Sequence, residues 1–340
     1  MSDPAVAVSE QQMSMIEPSS SESTGAAGEP VIRVRGLRKH YGAKVAVDGI
    51  HLSVEAGEIV GLLGPNGAGK TTTILMLLGL TEATSGSIEV CGFDPMHNPL
   101  EVKRTVAYLP DSVGFYDQLS ARENLRYIGR LAGIASNELE PRMDEALERV
   151  RLSAVARNRV GTFSRGMQQR LGIAEVLIKR ARVAILDEPT NGLDPQSTYE
   201  LLEMIRTLKS DGIAVLLSSH ILDRVQAVCD RVALFHQGRI ELEGSVESLA
   251  AQVLGASHGV HVQSSPDGPV AQCLTEIAGV KSVVADAPGL FRVLAESDVR
   301  DLIARTLVAR DLPVLRLDRI EPSLDEIYRR HFAGAQHEQA

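Results

Sequence analysis

Residues Gly64 to Thr71 read GPNGAGKT and satisfy the pattern G-x-x-x-x-G-K-[ST] at every fixed position. Residues of these types at this spacing bind phosphate. Gly64, Gly67 and Gly69 can take backbone angles that a Cβ would forbid, so successive N–H groups can turn inward and cup an anion. Lys70 adds a point charge for β- and γ-phosphates, and the Thr71 hydroxyl can ligate a Mg²⁺ that bridges them. Pro65, Asn66, Ala68 and Thr72 complete the same nucleotide-contacting stretch. Ile59, Val60, Leu62 and Leu63 read as a short buried strand before the loop, and Thr73 to Leu78 as the apolar start of a helix after it. That helix would offer unpaired N–H groups and the positive end of its dipole to the phosphate. A plain glycine-rich turn is the alternative, and strand, helix, Lys and Thr together weigh against it.

Further residues could share this chemistry if the fold brings them near. VAILDEP, residues 183–189, reads as a buried strand ending in two acids. At the carboxyl end of a parallel sheet, Asp187 could hold Mg²⁺ directly or through its water shell, and Glu188 could polarise an attacking water. His220 ends the apolar run IAVLLSS. Alone it would be a structural histidine, but beside a nucleotide site it becomes a candidate for a γ-phosphate contact. Ser164 and Gly166, in FSRGMQQR, precede a helix whose free N–H groups favour an anion. Tyr41 either stacks on a purine or closes a turn, and its spacing does not choose between the two.

The elements that must position these residues follow in order. VIRVRGL and VAVDGIHLSVEAGE read as a hairpin, and TEATSGSIEVCGFDP as a turn, a strand and a turn. Thr105 to Leu109 read as a strand. Helical periodicity then runs over Ala121 to Leu131, Asn137 to Val150 and Met167 to Ile178, giving a helical insertion over about 112–182. A helix reaches Lys209, and residues 232–243 form a last hairpin. Beyond it the order βαββαβ predicts a small α+β, ferredoxin-like domain over 257–334, with a closing helix near Leu324 to Phe332. Residues 1–29 carry acids but no Lys or Arg and read as a disordered acidic tail; 335–340 read as a second tail.

Composition narrows the class. The chain has 340 residues, 44% apolar content and a net charge of −9, with no basic patch that would point to nucleic acid. No apolar run reaches the roughly 18 residues needed to cross a bilayer. No basic group precedes an apolar core near the start, so the expectation is a protein that stays in the cytoplasm. Cys91, Cys229 and Cys273 are expected to be small buried residues, and His258 and His261 surface residues without a metal.

Taken together, GPNGAGKTT, FSRGMQQR, VAILDEP, TNGLDP and the His220 that ends its strand resemble, in order and approximate spacing, the ATP-binding subunits of ABC transporters. The resemblance covers about Val31 to Gly244, and much of the text is shared with the ABC-2 type. It implies an α/β fold: an ABC-type P-loop core over 31–244 with an antiparallel β subdomain and a helical subdomain. It implies ATP as substrate and Mg²⁺ as cofactor, with Tyr41 on adenine, Lys70 and Thr71 on phosphate and Mg²⁺, Asp187 on Mg²⁺, Glu188 as general base and His220 at the γ-phosphate. It also implies a homodimer, in which Ser164 and Gly166 of one subunit close over ATP held by the other and Asp194 lies at the seam. The partner would be an integral membrane permease, placing the chain peripherally on the inner face of the cell membrane. Two departures from the family's commonest text involve three positions. Arg165 and Met167 stand in place of Gly and Gln, and Asp111, one methylene shorter and charged, stands in place of a Gln that touches Mg²⁺, so the resemblance leaves a direct metal contact by Asp111 open. A narrower resemblance, of YLPDSVGFYDQLSARENL and EPSLDEIYRRHF, is to the NosF family, which works with NosY and NosD in nitrous oxide reductase maturation. Rival readings are a soluble ABC ATPase acting on ribosomes or DNA, opposed by one phosphate loop, a short helical insertion and an acidic balance, and a switch that binds ATP without turnover, opposed by the presence of both Glu188 and His220.

Overall fold

The computed structural model describes residues 29–254, 258–266, 268–320 and 323–337, with side chains as far as Phe332. The N-terminal segment expected to be a disordered tail lies outside them as far as residue 28, as do the last three residues of the expected second tail. Residues 335–337 belong instead to the final helix.

Three strands rich in Val, Ile and Leu, Ile59–Leu63, Val183–Asp187 and Ala214–Ser219, are buried along their whole length. Such unbroken apolar runs suit a parallel sheet covered on both faces. They form the centre of a six-stranded sheet in the order Val106–Leu109, Val183–Asp187, Ala214–Ser219, Ile59–Leu63, Arg231–His236 and Arg239–Gly244, with only the last strand antiparallel. Leu63 pairs with Ser219, and Asp187 with Ser218, so the phosphate loop, the two acids and His220 all leave the sheet at its carboxyl edge. One apolar core fills the face toward the helical insertion. A second lies between the sheet, the helix Lys70–Leu77 and a three-stranded antiparallel sheet of Lys44–Val54, Ile32–Tyr41 and Ser85–Val90.

The insertion carries Ala121–Leu131, Ser136–Arg149 and Arg165–Lys179. Ser120 and Glu123 form a capping box on the first of these helices. Arg122 and Arg126 both reach Glu140 on the second, at 2.7 Å each. Three short helices, Pro99–Thr105, Leu222–Gln226 and Val246–Leu254, were not anticipated from the sequence. Cys273 is buried as expected, whereas Cys91 and Cys229 are only partly so.

The C-terminal sheet runs in the order Val280–Ala287, Leu290–Ala295, His258–Gln263, Arg316–Ile320, so that His258–Gln263 and Leu290–Ala295, the first and third strands of this domain along the chain, are central as in a ferredoxin-like fold. Its own core joins Val260, Val262 and Val293 to Leu274, Ile303 and Leu307 of its two helices. One expectation is corrected here. The helix Leu324–His337 does not close this domain; it packs on the core beside the six-stranded sheet, where Leu324 and Ile327 are fully buried beside Val225, Val228 and Leu249. Phe332 lies 4.6 Å from the His236 ring, and the Leu324 N–H donates to Gln226 Oε1 at 2.9 Å. The physical reason is supply and demand of apolar surface. The stripe Leu324, Ile327, Tyr328 needs an uncovered face, and the unanticipated helices Leu222–Gln226 and Val246–Leu254 provide one.

Candidate functional site

At the carboxyl edge of the large sheet lies a cavity of about 470 Å³ lined by Tyr41, Lys44, Ala46, Asn66, Gly67, Gly69, Lys70, Thr71, Thr72, Asp111, Asp187, Glu188, Asn191 and His220. The loop that frames it needs glycine at two points. A Cβ on Gly64 would lie 2.3 Å from the Phe235 carbonyl oxygen, and one on Gly69 would lie 2.7 Å from that of Ala46. Gly67, at φ +81, has nothing within 4 Å of its would-be Cβ. The loop is therefore packed tightly behind and open in front, the shape of an anion cradle.

Lys70 is 5% exposed. Its Nζ donates to the carbonyls of Gly64 at 2.6 Å and Pro65 at 3.2 Å and lies 3.8 Å from Glu188 Oε1. Burial holds its pKa below the ordinary lysine range, and the charges of Glu188 and Asp187 oppose that shift. Asp187, 6% exposed, accepts from the Ser218 hydroxyl. Glu188 stands at φ +51, its N–H donating to Ser218 Oγ at 3.1 Å and to the Ser218 carbonyl at 3.2 Å. Backbone contacts thus fix where its carboxylate goes. Glu188 Oε2 lies 2.8 Å from His220 Nδ1. Because a carboxylate only accepts, that nitrogen carries the hydrogen and Nε2 is left for another partner. Glu188 Oε1 is a buried oxygen with no hydrogen-bond donor among the described residues. Such an atom invites a polar ligand or water.

Tyr41 is 48% exposed at the rim, with Lys39 Nζ 4.8 Å from its ring centre. Gly64 and Pro65 line an adjoining cavity that also holds His220, Asp223, Asp325 and Tyr328, while Ala68 is buried. Ser164, Gly166 and Asp194 do not line the cavity. Ser164 caps the helix Arg165–Lys179, its Oγ accepting from the Met167 N–H at 3.2 Å, and is exposed. A Cβ on Gly166 would meet Ser197 Oγ at 3.0 Å, and Asp194 caps the helix Pro195–Ser210 through Ser197. Hydrogen bonds from Ser197 hold the Asp194 carboxyl below the usual range.

Sequence reasoning missed Lys44, Ala46 and Asn191. Lys44 is legible only as a neighbour of Tyr41, and Ala46 carries no side-chain signal at all. Asn191 sits in TNGLDP, whose residue types are also those of an ordinary turn. Two of the three positions that depart from the family text, Arg165 and Asp111, prove to be neighbours. Asp111 Oδ1 accepts from Arg165 Nη2 at 2.7 Å and from Asn191 Nδ2 at 3.1 Å. Its carbonyl also accepts from Arg165 Nη2, at 3.3 Å.

Comparison with known proteins gives the same outline. A model of the ABC transporter family matches residues 47–191. The bacitracin transport ATP-binding protein BcrA of Bacillus licheniformis is 34% identical over 305 residues, covering 89% of this chain and 98% of that protein. The linearmycin resistance ATP-binding protein LnrL of Bacillus subtilis is 32% identical over 302 residues, covering 88% of this chain and 97% of that one. A solved structure described as the ATP-binding subunit of an ABC transporter is 33% identical with a TM-score of 0.60, covering 65% of this chain and 92% of its own.

Proposed function

Because this chain belongs to the ATP-hydrolysing, ATP-binding subunits of ABC transporters, of the ABC-2 type, we propose that two copies sandwich two molecules of Mg–ATP and drive a separate membrane permease. Each site would join the cradle of one copy to the Ser164 helix tip of the other. The observation that carries this reading is Glu188: a part-buried carboxylate with one oxygen on His220 and the other, itself buried, without a hydrogen-bond donor among the described residues, at the open front of a phosphate loop. The loop N–H groups and Lys70 bind the phosphates, and Tyr41 offers a ring face to adenine. Thr71 and Asp187 would hold Mg²⁺, which when bound neutralises charge on the phosphate oxygens. Glu188 takes the proton of the attacking water. His220, held by Glu188, presents Nε2 to the γ-phosphate. Ser164 and Gly166 are exposed or packed away from their own chain's cavity, which supports their acting on the partner's ATP.

No helix among the described residues is long and apolar enough to cross a membrane. A groove of about 790 Å³ lined by Leu78, Leu80, Leu100, Tyr108, Ile128 and Leu131 supports a docking place for a helix of that permease. Leu80, Leu100 and Leu131 there are exposed, and an apolar patch of this kind marks a partner. The chain would then lie on the cytoplasmic face of the membrane. A NosF-like role with a NosY-like permease is a second reading, favoured by YLPDSVGFYDQLSARENL and EPSLDEIYRRHF. It keeps the same site chemistry and changes only the partner and cargo. The names of BcrA and LnrL, which speak of bacitracin transport and linearmycin resistance, favour drug export instead.

Complementation tests the composite site. Lys70→Ala and Ser164→Ala chains are each expected to be inactive, yet mixing them creates heterodimers with one site built wholly from intact parts. Recovery of ATP hydrolysis on mixing supports the sandwich. If the mixture stays as inactive as its components, the composite site is wrong.

A further inference from the structure

Arg165 is the first residue of the helix Arg165–Lys179, where the positive end of the helix dipole disfavours a cation. Something else must hold it there. Its guanidinium reaches across to Asp111, which follows the strand Val106–Leu109 and lines the phosphate cavity with Lys70, Asp187 and Glu188. Gly192 makes room for it: at φ +68, a Cβ there would lie 3.2 Å from Arg165 Nη1. Asn191 Nδ2 donates to the same Asp111 oxygen, and Gln169 Nε2 to the Asp111 carbonyl at 3.5 Å. Three segments far apart in sequence therefore meet at one carboxylate.

Resting on the nucleotide-site reading above, we propose that Arg165 is a positioning residue that clasps Asp111. The clasp ties the serine-bearing helix tip to the phosphate cavity and cancels the charge of a third carboxylate beside the triphosphate. Arg165 and Asp111 then form a matched pair, each tolerable because of the other. Asp187 and Glu188 already bring two negative groups to a cavity meant for a polyanion, and Lys70 Nζ, 3.8 Å from Glu188 Oε1, offsets only part of that charge. An uncompensated third would repel the ligand.

The test is a double-mutant cycle on the full chain, with binding of Mg²⁺ and a non-hydrolysable ATP analogue measured by calorimetry and melting recorded alongside. Wild-type binding comes first; its absence would sink the nucleotide-site reading itself rather than the clasp. Arg165→Gln is expected to weaken binding about three- to tenfold at low salt, less at high salt, because the pair is half exposed and screened. Adding Asp111→Asn to Arg165→Gln removes the uncompensated charge and should restore affinity to within about twofold of wild type. Arg165→Lys should keep most of the affinity, since the contact to Asp111 uses a single nitrogen. The proposal is overturned if Arg165→Gln binds as wild type does, or if Asp111→Asn brings no recovery. A melting shift without a salt-dependent change in affinity would also reduce the pair to ordinary packing.

Discussion

Replacing Glu188 with glutamine preserves the shape of the side chain and removes its charge and basicity. The side chain is aimed by its backbone, whose N–H is held by Ser218 Oγ and the Ser218 carbonyl, so the substitution should not relocate it. Glutamine can still accept from His220 Nδ1, which lies 2.8 Å from Oε2. What disappears is the proton acceptor at Oε1, the buried oxygen that has no donor of its own. A positioned general base contributes about 10²- to 10⁴-fold, which at ~1.36 kcal/mol per tenfold is about 2.7–5.5 kcal/mol of barrier. Nucleotide affinity should move the other way. Removing a negative charge 3.8 Å from Lys70 frees that cation for the phosphates and lowers repulsion toward the triphosphate, an effect of order 1 kcal/mol once solvent screening is allowed for. Glu188→Gln should therefore release phosphate at least about a hundredfold more slowly at saturating Mg–ATP, bind ATP at least as tightly, and accumulate as an ATP-bound dimer in light scattering. A turnover number within about threefold of wild type would refute the assignment of Glu188 as the base.

Further outcomes follow from packing and charge. Gly64→Ala drives a Cβ to 2.3 Å from the Phe235 carbonyl at a φ of +150, so a loss of about 1–3 kcal/mol in unfolding free energy should accompany weakened nucleotide binding; unchanged melting would contradict the tight rear wall of the loop. Ile327→Ala, in a side chain with no exposure, should cost about 2–4 kcal/mol in denaturant unfolding, and a loss under about 0.5 kcal/mol would mean that the last helix does not pack on the core. Glu140 is held at about 2, below its ordinary 4.5, first by Arg126 and then by Arg122. A depressed carboxyl stabilises the fold above its unfolded pKa and stops doing so as pH falls through the folded one. Glu140→Gln should then lower stability at neutral pH by about 1 kcal/mol, discounted because the group is partly exposed. That gap should close between pH 4.5 and about 2, and a gap independent of pH would rule out the ion pairs as its source.

The sequence by itself determined the chemistry of the front of the site. GPNGAGKT and the acids of VAILDEP are contiguous runs whose residue types are set by phosphate and proton transfer over a few bonds, so short spacing alone discloses them. The same holds for the strands and long helices around them, whose periodicity is local. Three matters were decided only by tertiary structure. Ser164, Gly166 and Asp194 are kept out of their own chain's cavity, while Lys44, Ala46 and Asn191 are brought into it. Arg165 meets Asp111, a residue 54 positions away. The final helix, expected near Leu324 to Phe332, lays its apolar stripe against the ATP-binding core rather than the small sheet beside it in sequence. A stripe states that a face must be covered but not by what, and a charge states that it needs a counter-ion but not which one. Those answers depend on the surfaces left open after every other element has packed, and no local stretch of chain contains them.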